Sequence, residues 1–212
     1  MIPLLFEYSY GQSTDTIIIN QNNVATGVLK EGTSVYLIYF KMKKDSIRTM
    51  TQFWTRTIAR ESFNGADAIT VYQSWEDKDS IIHTTKSICE SKTFAPLYQD
   101  SWWKRSGKIT TSTFDFGNKK AIVDGKPLNE EDTAKNRKAA WLSFVKALNQ
   151  YTLNWHLDLE VFPILPYKKG RIFSIPFYDP GFSAPRQIIY NVSGEANLQG
   201  YDNQKVDCWL LE

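Results

Sequence analysis

Strand-length apolar runs separated by turn signals constrain this chain more than any other feature. Across its last quarter, Trp155–Pro163, Arg171–Phe177, Arg186–Val192, Ala196–Tyr201 and Val206–Leu211 are each the length of one strand. Between them stand Lys169-Gly170, Asp179-Pro180-Gly181, Ser193-Gly194 and Asp202-Asn203. Such residues turn a chain because glycine and asparagine tolerate positive φ, proline presets φ, and short polar side chains bond the nearby backbone. The pattern predicts a wide antiparallel sheet with aromatic faces, a shape that can cradle an apolar ligand. It names no reaction.

The same grammar runs upstream. Ile17–Ile19 reads as a short strand, and Ser34–Phe40 as a strong one with Val35, Leu37 and Tyr39 on one face and Tyr36, Ile38 and Phe40 on the other. Apolar residues on both faces predict that each side is covered, by core or by ligand. Ile47–Ile58, Ala68–Trp75, Ile81–Cys89 and Thr93–Trp103 continue as a meander through turns at Glu61–Gly65 and Asp77–Asp79, with Pro96 placing part of the last run at an edge or bend. Gly107–Phe116, Gly117-Asn118 and Lys119–Val123 spell a hairpin, and Asp124-Gly125 a second turn. A parallel sheet would need crossover helices that this sequence lacks.

One helix stands out within residues 129–150. Asn129 is placed to cap it, Glu130, Glu131 and Asp132 suit its positive N-terminal end, and Trp141, Phe144, Val145 and Leu148 recur at helical spacing. Lys135, Arg137, Lys138 and Lys146 occupy the opposite face. The stripe predicts a helix packed on the sheet, with Trp141 largely buried, or one plugging a sheet cavity. With no fixed-period repeat or linker, residues 1–212 read as a single β-rich domain, long enough for a substantial core.

Charge narrows the function classes. With 25 basic and 23 acidic residues the net charge is only +2, and the basic clusters Lys41-Met42-Lys43-Lys44, Lys119-Lys120 and Lys168-Lys169-Gly170-Arg171 are short and lie beside turns. No basic stripe accompanies the aromatics, which argues against nucleic acid. No run approaches the ~20 apolar residues of a membrane span, and Ile2-Pro3-Leu4-Leu5-Phe6 is too short for the core of a signal peptide. The expectation is a cytoplasmic protein or a form trimmed at both ends, since Asp207–Glu212 stops in mid-strand. Cys89 and Cys208, the only cysteines, exclude a disulfide scaffold and offer no metal-ligand spacing. Both read as free thiols in strands, or as one disulfide if the compartment is oxidising.

Two sets of side chains are candidates for a site. The chain carries 12 Phe, 11 Tyr and 7 Trp, 14% of its residues. Among them Trp54, Tyr72, Trp75, Trp141 and Trp155 are the candidate ligand-binding residues, as large aromatics on strands and on the helix stripe that can face one concavity. The second set is His156, Asp158 and Glu160, which share a face if Trp155–Val161 is a strand and then resemble metal ligands. The same alternation also fits an amphipathic strand in water, and a helix would spread the three around its axis. His83 has no acidic neighbour to orient it, no Gly-x-Ser-x-Gly elbow occurs, and the 11 glycines are dispersed rather than gathered in a phosphate loop. No catalytic residue, metal or cofactor is expected.

The segment Trp155–Pro163, with Leu165–Gly170, Phe177-Tyr178-Asp179-Pro180-Gly181 and Gly200–Trp209, resembles an uncharacterised family of exported proteins from Bacteroidetes-type bacteria, envelope half-barrels similar in shape to lipoprotein-localisation carriers. The match covers about residues 151–212. The resemblance implies a half-barrel: a curved antiparallel sheet wrapped around one or two helices, with an apolar concavity, in the periplasm or cell envelope. Lipid, an acyl chain, a lipoprotein or another envelope protein is then the expected partner. The favoured expectation is a non-enzymatic envelope protein holding an apolar or amphiphilic ligand. The alternatives are a structural or assembly protein with a solid core, and a metal-dependent hydrolase using His156, Asp158 and Glu160.

Overall fold

The computed structural model describes residues 15–41, 47–200 and 202–212. The Ile2–Phe6 run, Met42–Lys44 of the first basic cluster, and Tyr201 lie outside the described residues. After β1 (Asp15–Ile18), an eight-stranded antiparallel sheet runs in simple meander order: β2 (Gly32–Lys41), β3 (Arg48–Phe63), β4 (Ala66–Asp77), β5 (Ser80–Glu90), β6 (Pro96–Arg105), β7 (Lys108–Asp115), β8 (Lys120–Val123) and β9 (Lys126–Pro127). Helix α1 (Lys135–Leu148) follows, then β10 (Leu153–Asn154), the four-residue helix α2 (Asp158–Val161), and β11 (Arg171–Tyr178), β12 (Arg186–Gln199) and β13 (Lys205–Leu211). The last three strands with β1 and β10 form a second, five-stranded sheet. The protein is mainly β, and its large sheet stays open, with β2 and β9 at the edges.

Turn chemistry sets the register of the large sheet. Asn64-Gly65, Ser106-Gly107 and Asp124-Gly125 all have positive φ at both positions, the conformation of the tight hairpin turn whose twist matches that of its strands. Lys78-Asp79 adopts it without glycine (φ 49° and 60°). Pro96 opens β6, where its missing N–H costs the ladder nothing. The second sheet departs from the expected antiparallel pattern, because β1 and β10 both run parallel to β11 along one edge.

Two cores form on one face of the large sheet. Ile69, Val71 and Cys89 meet Phe173, Ile175, Phe177 and Val192 of the second sheet, with Leu157, Val161 and Ile164 between them. Beside this, Phe144 and Ala147 of α1 pack on Phe114, Ala121, Leu128 and Tyr178. The helix lies within the expected span but starts at Lys135, because Asn129 and Asp132 spend their side chains on a turn: Asn129 Oδ1 accepts from Glu131 N and Asp132 Oδ2 from Asn129 N. Phe144 is wholly buried, whereas Trp141 is only half-buried. Arg137, expected on the solvated face, ties the helix down by donating to Asp132 and to the carbonyls of Val123, Lys126 and Pro127.

Three further expectations are corrected. Trp155–Pro163 is helical, not a strand: Asn154 Oδ1 accepts from His156 N to start a turn, and Leu157, Val161 and Ile164 bury at helical spacing. Arg186–Gln199 is one strand with a bulge between Val192 and Gly194, where a turn was expected. Both faces of β2 are open, with Val35, Leu37 and Tyr39 exposed on one side and Tyr36 and Phe40 on the other. The cysteines follow the first of their two readings, since Cys89 and Cys208 are both free thiols.

Candidate functional site

Cross-strand register builds a patterned wall on the inner face of the large sheet. Trp54 stands opposite Trp75, Trp75 opposite His83, His83 opposite Trp103, and Trp103 opposite Thr110. The next row on the same face is Arg56, Gln73, Thr85, Ser101, Ser112 and Val123. The first row is therefore aromatic and the second polar. A bulge between Trp75 and Glu76 falls at the aromatic row, the kind of irregularity that re-aims side chains beside functional sites. Trp54 and Trp75 stack with centroids 3.8 Å apart, Trp103 stacks on His83 at 3.7 Å, and Trp75 meets Trp103 edge-on at 5.0 Å.

Over this wall lies a cavity of about 740 Å³, within the range of small-molecule sites. Trp54, Trp75, Trp103 and Phe114 form its apolar floor, Trp155 and His156 one wall, Asp179–Phe182 another, and Asn136, Arg137 and Ala140 of α1 the third. Three of the five candidate aromatics, Trp54, Trp75 and Trp155, line it. Tyr72 does not: its register with Thr57 and Lys86 places it on the outer face, where Lys86 lies over its ring. Trp141 packs beside Phe144 and away from the lining. Strand parity explains the first difference, because Tyr72 alternates with Val71 and Gln73.

The metal-ligand reading of His156, Asp158 and Glu160 is replaced by an arginine-centred cluster. Arg56, 2% exposed, donates from Nη1 to Glu160 Oε2 at 2.6 Å and from Nη2 to Asp158 Oδ1 at 3.3 Å and the His156 carbonyl at 3.2 Å. Gln73 Nε2 donates to the same carbonyl at 2.8 Å. Burial raises the Glu160 carboxyl above its ordinary range, and Arg56 works against that rise. The His156 ring turns instead to Asp179, Nε2 to Oδ2 at 2.9 Å. Burial alone would raise Asp179, but the His156 bond and charge and the Gly181 N–H outweigh it and hold the carboxyl below its usual range. The described residues hold no group of His, Cys, Asp and Glu arranged for a metal.

His83 was not a candidate, yet it is the keystone of the aromatic row. Its Nδ1 lies 2.8 Å from the Trp102 carbonyl, which only accepts, so Nδ1 carries the proton of the neutral ring. Burial, and then the neighbouring His156, push its pKa down to about 3. Nε2 is buried with no partner among the described residues. Trp103, Arg105, Lys108 and Asp179 also escaped the sequence reading. Trp103 shares parity with Gln99 and Ser101, the one sequence signal that pointed to this face.

An open antiparallel sheet, lidded by a helix and a second sheet, thus borders an aromatic cavity of small-molecule size. The chain belongs to the family described as a protein of unknown function (DUF3108), whose profile matches residues 35–212. No curated protein and no solved structure matches it.

Proposed function

We propose that the protein is a non-enzymatic binding protein of the cell envelope that holds an apolar or amphiphilic ligand in the cavity over the Trp54–Trp75–Trp103 row. The observation that carries this reading is the cavity itself: about 740 Å³, floored by half-buried tryptophans rather than filled by them. Each methylene moved from water onto such a floor contributes about 0.8 kcal/mol. The envelope setting, and a lipid, acyl chain or lipoprotein as the ligand's source, follow from the resemblance of the C-terminal segment to envelope half-barrels. Titration with a fluorescent fatty acid or lysophospholipid, read through tryptophan emission, tests the reading. Saturable quenching that Trp75→Ala weakens is expected, and no saturable change would overturn it.

A second reading, an assembly protein, has one observation in its favour. Among the described residues strand β2 pairs only with β3, and it exposes Val35, Leu37, Tyr39, Tyr36 and Phe40, so its outer edge can accept a partner strand. Concentration-dependent association that Leu37→Lys abolishes would support this reading, and a protein monomeric at all concentrations and without envelope partners would remove it.

A further inference from the structure

The charges around the cavity are not evenly satisfied. Arg56 is held by Glu160 and Asp158, Arg137 by Asp132 and three carbonyls, and Asp179 by His156. Two lining cations remain, Arg105 and Lys108. They are cross-strand partners flanking the Ser106-Gly107 turn between β6 and β7, and neither has a carboxylate within ion-pair distance among the described residues. Arg105 is exposed but folds back onto the protein. Its guanidinium carbon lies over the Trp103 ring, 4.0 Å from the centroid, and its charge is felt by both His83 and Asp179. The guanidinium is thus laid on the aromatic floor at the cavity's rim, with its N–H groups uncommitted among the described residues.

We infer that the cavity selects amphiphiles with an anionic head, a carboxylate or phosphate, which Arg105 and Lys108 bind at the rim while the apolar body lies on Trp54, Trp75 and Trp103. This rests on the binding reading above and adds the head-group class. A guanidinium held flat on an indole keeps its edge donors free for planar, bidentate recognition of an oxyanion. A lysine across the strand pair adds a second charge without competing for the same donor geometry. Of the uncharged polar lining, Ser101 and Ser112 bond each other at 2.8 Å and Gln99 accepts from Asn154 at 2.7 Å, which leaves Thr110, Thr111 and Asn136.

The test compares ligands with one apolar chain and different heads: dodecanoate, lauroyl lysophosphatidic acid, monolaurin and dodecyltrimethylammonium, measured by calorimetry and tryptophan emission. The anionic pair should bind about tenfold or more tighter than monolaurin, and the cation weakest. Arg105→Gln with Lys108→Gln should erase that preference, bringing dodecanoate to within about twofold of monolaurin measured on the same variant. Raising salt from about 0.05 to about 0.5 M should weaken the anions alone. Equal binding of neutral and anionic heads, or an equal loss of both in the double variant, would overturn the head-group assignment and leave the cavity reading standing. No binding by any of the four overturns the cavity reading itself. Competition by inorganic phosphate as strong as by the amphiphiles would mark a simple anion site and overturn the amphiphile assignment.

Discussion

Arg56 is the place where a single substitution should expose how this fold is held together. It reaches from β3 to the helical segment after β10, and its loss falls unequally on its partners. The Asp158 side chain is 35% exposed, so water can replace the guanidinium there. The His156 carbonyl keeps its bond from Gln73. Glu160, with 4% of its side chain exposed, has no such relief. Arg56→Met therefore strands one buried carboxylate, at a cost of about 3–5 kcal/mol. Replacing both partners, Arg56→Met with Glu160→Leu, should restore most of that, because an apolar pair needs no solvation. The sign with pH follows from Glu160, whose folded pKa is already raised and should rise further without Arg56. The penalty is then full at high pH and shrinks as falling pH protonates the carboxyl in the folded state. The deficit of the single variant should be smaller near about pH 5 than near about pH 8. Urea unfolding followed by tryptophan emission measures both. A single-variant loss under about 1 kcal/mol, or a double variant no better than the single, would refute the reasoning.

His83, neutral when folded with its pKa down at about 3, should make the protein lose stability as pH falls from its ordinary 6.5 toward that value, because the unfolded chain takes up the proton first. His83→Phe should flatten that stretch of the acid limb, and parallel limbs for variant and wild type would contradict the assignment. Phe144→Ala should cost about 3–5 kcal/mol, whereas the half-buried Trp141→Ala should cost clearly less; the reverse order in urea melts would reject the packing of α1. Burial pushes the Cys89 thiol up well beyond its ordinary value, so a thiol reagent should titrate Cys208 alone in native protein and both after denaturation.

What was legible in the sequence is what local physics decides. Turn residues such as Asn64-Gly65 and Asp124-Gly125 bend the chain whatever surrounds them, and alternating β-branched and aromatic residues extend it, so the order of the meander could be read directly, although β3 runs on to Phe63 and β6 starts only at Pro96. Helix α1 was legible for the same reason, through the spacing of Phe144 and its neighbours. The segment after Asn154 was not, because a short apolar run satisfies both periods: His156, Asp158 and Glu160 alternate as in a strand, while Leu157, Val161 and Ile164 recur as in a helix. Only the space between the two sheets, which accepts the second set, chose.

The site itself belongs to tertiary structure. Trp54, Trp75, His83 and Trp103 become one row through four strands in a particular register, and reversing the parity of any strand would send its member to the outer face, where Tyr72 lies. Asp179 reads as a turn residue until β11 carries it to His156, and Arg56 as one charge among many until the chain returns after β10 to bury it. Sequence alone determined a mainly β chain with an aromatic excess and one amphipathic helix. Which aromatics face inward, and whether they fill the interior or leave a cavity, depended on contacts between residues far apart in the chain, whose pairing no local preference encodes.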